Sequence, residues 1–172
     1  VKCGSGAFMK DIESARTLAQ KMVDIGRACG RNMSAVISDM DVPLGFAIGN
    51  SLEVKEAIAL LKGADIPDLR RICLALSAEL IAMIREVSVE EAYKIAETAL
   101  DSGAALAKMK EWISAQGGDV SLIDDTDKFP KASVVYENVQ TTEYLNTQVA
   151  TGKYDIEIKE EDKVMNIAVE TS

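Results

Sequence analysis

Hydrophobic residues recur at helical spacing in five stretches of the chain. In the first, residues 11–29, an apolar stripe alternates with outward-facing charges, and Asp11 and Gly30 suit its N-cap and its C-terminal stop. The other helices are predicted at residues 52–62, 68–87, 89–100 and 104–115. The third of the five, at 68–87, is apolar nearly all round, which predicts that it is buried.

Local sequence signals define where the helices after residue 66 begin. Pro67 suits the first turn of a helix, and Ser88 opens a capping box of sequence Ser-Val-Glu-Glu. Residues 89–115 therefore predict two antiparallel helices joined by a short loop. Glu79 lies on the apolar helix, so we expect it to meet a hydrogen bond or a salt bridge. Trp112 is expected to pack in the core or against a helix.

The most strand-like segment is residues 33–37, Met-Ser-Ala-Val-Ile, directly after the first helix. A helix followed by a strand on this scale indicates an α/β fold with a parallel sheet. Residues 38–50 then form a long connection, rich in turn residues, that leads into the next helix. Because such loops usually carry function rather than packing, this loop is the candidate site.

The pattern changes after residue 131. Hydrophobic positions alternate or cluster as in strands at residues 134–136, 154–159 and 164–169, with a polar stretch at 141–152. The sequence thus predicts two units, an α/β domain at residues 1–132 and a β-rich tail at residues 133–172.

Glu56 lies on the helix that follows the loop, among Leu52, Ala59 and Leu60 on the same stripe. A carboxylate there is costly unless it meets a cation, a metal ion or several N–H groups. No Lys or Arg lies three or four residues away to serve it. Two interpretations stay open: a half-exposed Glu paired through the tertiary fold, or a ligand to a metal ion.

Composition excludes several classes of function. The net charge is −9, from 28 acidic and 19 basic residues, which argues against a nucleic acid or an anionic membrane as partner. The absence of histidine excludes histidine triads, histidine metal sites and histidine general bases in this chain. The apolar run at residues 72–84 is too short to span a membrane and contains Glu79.

Three widely spaced cysteines, Cys3, Cys29 and Cys73, indicate reduced thiols and a cytoplasmic protein.

Two weak motifs, one at the N-terminus and one in the acidic loop, have ordinary structural interpretations that we favour. Glycines around Ser5 could cradle an anion, but a strand-to-helix turn that only Gly fits is the more common case. The acidic loop at residues 117–132 lacks the spacing of a calcium loop and is expected to be solvated.

Three blocks of the chain resemble, in order, blocks of the bacterial pyrimidine-nucleoside phosphorylases, which include thymidine phosphorylases. They are VKCGSGAFMK at residues 1–10, DIGRACGRNMSAVISDMDVPLGFAIGNSLEVKEAIALLKG at 24–63, and SGAALAKMKEWISAQGGD at 102–119 with the acidic loop and FPKA after it. The resemblance implies the helix-rich part of the large α/β domain of a nucleoside phosphorylase, with a short β-rich tail.

The same resemblance implies an activity and an ion. Family members convert a pyrimidine nucleoside and phosphate, their co-substrate, into the free base and a (deoxy)ribose 1-phosphate, and they are homodimers. In the potassium-binding members two loop carbonyls and a glutamate hold the ion. Carried over by motif, these are the backbone carbonyls of Leu44 and Ala47 and the carboxylate of Glu56.

The phosphate-binding and pyrimidine-binding groups of the family precede the residue that matches Val1. We therefore assign no catalytic or substrate-binding residue here, and expect a fragment that is inactive alone. Two alternatives stay open. One is a non-catalytic interaction module that uses the apolar helix at residues 72–84 as its surface. The other is a phosphoribosyltransferase of the same fold family.

Overall fold

The structure is a computed structural model that describes residues 1–130 in full and three later strands by their backbone. In chain order the elements begin with a short strand, a long helix and two more short strands. Five helices, a 3₁₀ turn and the three later strands follow. Their bounds are β1 Lys2–Cys3, α1 Ile12–Ala28, β2 Ser38–Asp39, β3 Ala47–Ile48, α2 Asn50–Leu61, α3 Pro67–Arg85, α4 Val89–Asp101, α5 Ala104–Ala115, α6 Ser121–Asp124, the 3₁₀ turn Thr126–Lys128, β4 Val134–Val139, β5 Tyr154–Ile158 and β6 Val164–Val169.

Helix α1 forms where its pattern predicts. Asp11 caps its N-terminus by accepting from the backbone N–H of Ser14 at 2.8 Å, and that bond keeps the pKa of Asp11 below its ordinary value. Gly30 follows the C-terminus with a φ of 70°, as a helix stop requires. The buried side of α1 is narrow and made of Ala15, Ala19 and Val23.

The predicted strand at residues 33–37 is wrong. The strand β2 is Ser38–Asp39, and it pairs in parallel with β1. The Ser38 N–H donates to the carbonyl of Val1 at 3.0 Å, and the Val1 amino group donates to the carbonyl of Val36. Within the described residues, no strand lies beside residues 33–35. That segment therefore lacks the ladder that defines a strand. The predicted parallel pairing itself is confirmed.

Helices α3, α4 and α5 pack in sequence. Ala78 on α3 and Ala92 on α4 are fully buried, and Leu74 is 3% exposed, which lets the two helices approach closely. The prediction that α3 is buried all round is wrong, because Leu76, Leu80 and Ile84 are 46%, 57% and 80% exposed. Helix α4 packs against α3, and these three side chains stay largely exposed beside that contact.

The remaining helix predictions have mixed outcomes. Ser88 caps α4 by accepting from the Glu91 N–H at 3.1 Å, so the capping signal is confirmed. Glu79 meets the hydroxyl of Ser34, which donates to it at 2.8 Å, as expected. Trp112 is 57% exposed, so a core position is wrong, and the predicted packing against a helix stays a prediction. It lies on α5, none of whose residues is buried.

The three strands of the tail occur where the pattern predicts. They form an antiparallel sheet of order β3–β5–β6–β4, in which Ala47 is the register partner of Glu157. The first unit thus contributes β3 to the tail's sheet. The division into units at residues 1–132 and 133–172 stays a prediction, and the polar stretch at 141–152 lies outside the described residues.

No helix in the described part of the chain is both long and apolar enough to cross a membrane.

Candidate functional site

The candidate loop, residues 38–50, is anchored at its start by the parallel pair β1–β2. The Met40 N–H donates to the carbonyl of Cys3 at 2.7 Å, directly after the ladder. At its end the loop runs through β3 into α2, whose first residue is Asn50. Both ends are therefore fixed by secondary structure, and the intervening residues 41–46 take their shape from other contacts.

The glycines near the N-terminus allow the backbone there to contact this loop closely. Gly4 has a φ of 125°, and a Cβ there would lie 2.6 Å from a carboxylate oxygen of Asp41. The Ser5 N–H donates to Asp41 Oδ1 at 2.7 Å, and the Gly6 N–H donates to the carbonyl of Met40 at 2.9 Å. Because these N–H groups already have partners inside the chain, the turn interpretation is confirmed over the anion cradle.

Glu56 reaches back from α2 to the loop. Its Oε1 accepts a hydrogen bond from the Phe46 N–H at 2.7 Å in a partly buried environment. Gly45 is buried and has a φ of 71°, and a Cβ built on it would overlap the Glu56 carboxylate. Only glycine combines that backbone angle with such a close approach. The structure thus brings Glu56 to the segment between Leu44 and Ala47.

A second carboxylate, which the sequence analysis missed, meets the same loop. Asp68 lies in the first turn of α3, directly after Pro67. Its Oδ2 accepts from the Gly45 N–H at 2.7 Å, and its Oδ1 accepts from the Leu69 N–H at 2.8 Å. An acidic residue in a first helical turn is so common that the sequence contains no signal for its long-range partner.

The two carboxylates have no cationic partner among residues 1–130, where neither Glu56 nor Asp68 takes part in a salt bridge. Two nearby lysines, Lys55 on α2 and Lys62 directly after α2, are engaged elsewhere. Lys55 lies over the ring of Phe129 at 5.9 Å, and Lys62 donates to the carbonyl of Asp124 at 3.2 Å. Within residues 1–130 the charges of Glu56 and Asp68 are therefore met by backbone N–H groups.

Chemically, the loop offers what a hard cation prefers. Carboxylate and backbone carbonyl oxygens are the usual ligands of such ions. Leu44 is half-buried and Ala47 is buried, so oxygens in this segment are partly shielded from water. Residues 1–130 contain no cluster of three or more His, Cys, Asp or Glu side chains that could hold a metal ion. An ion here would therefore depend on main-chain oxygens.

The acidic loop has a structural role. Asp124 pairs with Lys110, and this contact keeps the pKa of Asp124 below its ordinary value. Asp125 caps the 3₁₀ turn by accepting from the Asp127 N–H at 3.2 Å. The loop contains the short helix α6 as well, so it is more ordered than the loop that the sequence predicted.

Comparison with known proteins identifies a matching family and several similar enzymes. Residues 1–106 match the family described as "Glycosyl transferase family, a/b domain". The chain is 49% identical over 138 residues to the pyrimidine-nucleoside phosphorylase of Geobacillus stearothermophilus, 80% of this chain and 32% of that one. It is 48% identical to the enzyme of the same name from Bacillus subtilis over 134 residues, 77% of this chain and 31% of that one. The chain spans about a third of the length of these curated relatives.

Proposed function

The chain belongs to the glycosyl transferase family, within its a/b domain, and from this membership we propose that it forms part of a pyrimidine-nucleoside phosphorylase. The parent enzyme would convert a pyrimidine nucleoside and phosphate reversibly into the free base and a (deoxy)ribose 1-phosphate. The observation that carries the proposal is 49% identity, over 80% of this chain, to an enzyme of that name.

In this reaction an oxygen of phosphate attacks the anomeric carbon while the bond from that carbon to the base nitrogen breaks. The base leaves with the electron pair of that bond. Positioning of the two substrates and stabilisation of developing charge would supply the rate. No residue of this chain is assigned to the reacting atoms, so its contribution is to shape and charge the site.

The proposal includes a potassium ion held by the backbone carbonyls of Leu44 and Ala47 and by the carboxylate of Glu56. Its support is the half-buried Glu56 carboxylate, which lies against the loop without a Lys or Arg partner in residues 1–130. The oxygen ligands suit a hard cation. When bound, the ion would supply positive charge that ties the loop to the phosphate site.

We place the parent enzyme in the cytoplasm as a homodimer. Both statements rest on the family resemblance, and the location is also supported by the cysteines. Cys3, Cys29 and Cys73 are free rather than joined in disulfides. Sedimentation of the full-length protein at two concentrations would test the dimer. A homodimer should show the mass of two subunits at both concentrations.

A chimera tests the activity directly. The aligned 138 residues of this chain would replace their counterpart in the Geobacillus stearothermophilus enzyme. We expect the chimera to release base from uridine or thymidine in the presence of phosphate, and the isolated 172-residue chain to release none. A chimera that folds, as judged by circular dichroism and sedimentation, but is inactive with both nucleosides would contradict the proposal.

The alternative of a non-catalytic interaction module is favoured by one observation, the exposed face of Leu76, Leu80 and Ile84 on α3. The chimera separates it from the enzyme. A module needs no phosphorolysis and would leave the chimera inactive, whereas part of an enzyme restores turnover. The phosphoribosyltransferase alternative has no support from the relatives described above.

A further inference from the structure

We infer that Asp68 is a positioning residue for the ion site: its carboxylate holds the Leu44–Gly45 peptide so that the Leu44 carbonyl is oriented for the cation. The inference rests on the proposed function, because it deepens the same site. Asp68 makes no ion pair among residues 1–130, and both of its oxygens accept backbone hydrogen bonds. One bond lies within α3, and the other crosses to the loop 23 residues earlier.

The orientation follows from peptide geometry. The Gly45 N–H and the Leu44 carbonyl belong to one planar trans peptide, so they point in opposite directions. The Gly45 N–H donates to Asp68 Oδ2 at 2.7 Å, which directs the Leu44 carbonyl away from Asp68. The next peptide is fixed in the same way, because the Phe46 N–H donates to Glu56 at 2.7 Å.

Two consecutive amides are thus held by two carboxylates from different helices, with Gly45 between them. Glu56 comes from α2 and Asp68 from the first turn of α3. Gly45 cannot adjust to a missing bond by moving toward α2, because the Glu56 carboxylate already fills the place of a side chain. Asp68 therefore fixes the rotation of the Leu44–Gly45 peptide, which Glu56 does not hold.

Amide exchange on this chain tests the hydrogen bond. In Asp68→Asn the amide keeps the size of the side chain but has one acceptor oxygen instead of two. We expect the Gly45 amide to exchange with deuterium at least about tenfold faster than in the wild-type chain, since a hydrogen bond to a charged group is lost or weakened. The matched control is Asp65→Asn, because Asp65 is exposed and accepts no hydrogen bond within residues 1–130. Unchanged exchange at Gly45 in both Asp68→Asn and Asp68→Ala would overturn the inference.

Potassium dependence in the chimera tests the consequence. Asp68→Asn should raise the potassium concentration for half-maximal activity about tenfold, because one ligand of the ion is held less well. It should leave kcat at saturating potassium within about twofold of the unmodified value. A merely structural role of Asp68 would lower kcat or the stability of the fold without raising the potassium requirement. An unchanged potassium requirement overturns the inference. A wild-type chimera without activity overturns the proposed function instead, and Gly45 exchange then still decides whether Asp68 holds the peptide.

Discussion

The helices α3 to α5 and the loop at residues 38–50 obtain their shapes in different ways. The helices are specified by neighbouring residues: Pro67 begins α3, Ser88 caps α4 and Gly103, with a φ of 78°, precedes α5. The loop is specified at a distance, by carboxylates 10 and 23 residues further along the chain. A short segment can therefore encode the helices, but the loop depends on where α2 and α3 lie.

The difference also separates stability from function. Helices α3 and α4 bury alanines and Leu74 against one another, and the Arg70–Asp101 ion pair joins the same two helices. At the loop, by contrast, the carboxylates of Glu56 and Asp68 meet backbone N–H groups and no Lys or Arg within residues 1–130. Changes in the helices should therefore alter the free energy of unfolding, whereas changes in the loop should alter ion binding as well.

The largest effect is expected in the helices. Leu74→Ala should lower the free energy of unfolding by about 3 kcal/mol, because it leaves a cavity between α3 and α4. Leu76→Ala is the matched control, since Leu76 is two residues away and 46% exposed, and it should cost less than about 1 kcal/mol. Urea unfolding measures both. Equal losses would mean that the exposed side of α3 is packed in solution.

A glycine pair tests the loop. Gly45 and Gly30 have φ of 71° and 70°, so replacement by alanine strains the backbone equally, by about 1 kcal/mol. Only Gly45→Ala also displaces the Glu56 carboxylate, since nothing lies within 4 Å of a Cβ at Gly30. We expect Gly45→Ala to cost about 1–2 kcal/mol more than Gly30→Ala, the cost of a disrupted charged hydrogen bond. Equal urea midpoints would contradict the position of Glu56.

Removal of a cap should have a smaller effect. Ser88→Ala removes the acceptor for the Glu91 N–H and should cost about 1 kcal/mol. Ser114→Ala, at an exposed position near the end of α5, should cost nothing measurable. Urea unfolding measures both variants, and a loss in the control as large as in Ser88→Ala would mean that the cap does not stabilise α4.

The smallest effect concerns pH. Arg70 on α3 donates to Asp101 on α4 at 2.8 Å, and this hydrogen bond holds the pKa of Asp101 below its ordinary value. The pair therefore stabilises the fold above about pH 4 and loses that contribution as pH falls through the lowered pKa of Asp101. A double-mutant cycle of Arg70→Met and Asp101→Asn should show coupling at pH 6 that declines as acid protonates Asp101. Coupling that is constant with pH would contradict the pairing.

Sequence reasoning predicted most of the helical part. Helix α5 has its predicted bounds, and Asp11, Gly30 and Ser88 act as predicted, because capping and periodicity depend on residues a few positions apart. It was wrong about burial on α3 and at Trp112. Periodicity shows which face of a helix is apolar, but which element covers that face is a property of the tertiary fold.

The site was predicted in part. Glu56 was identified from its carboxylate on an apolar stripe, and the structure gives it a loop amide as partner. Asp68 was not identified, because its partner Gly45 is far away in the sequence and a first-turn aspartate has an ordinary local explanation. The assignment of Leu44, Ala47 and Glu56 as ion ligands came from family resemblance and stays a prediction, since main-chain oxygens cannot be recognised from composition or spacing.

The ion at this loop is tested by the potassium dependence of phosphorolysis in the chimera, with and without Glu56→Gln. We expect the activity of the unmodified chimera to rise with potassium at constant ionic strength, and Glu56→Gln to abolish the rise. Glu13→Gln, at an exposed position on α1, should leave it intact. A potassium response that is the same in Glu56→Gln as in the unmodified chimera would contradict an ion held by Glu56 at this loop.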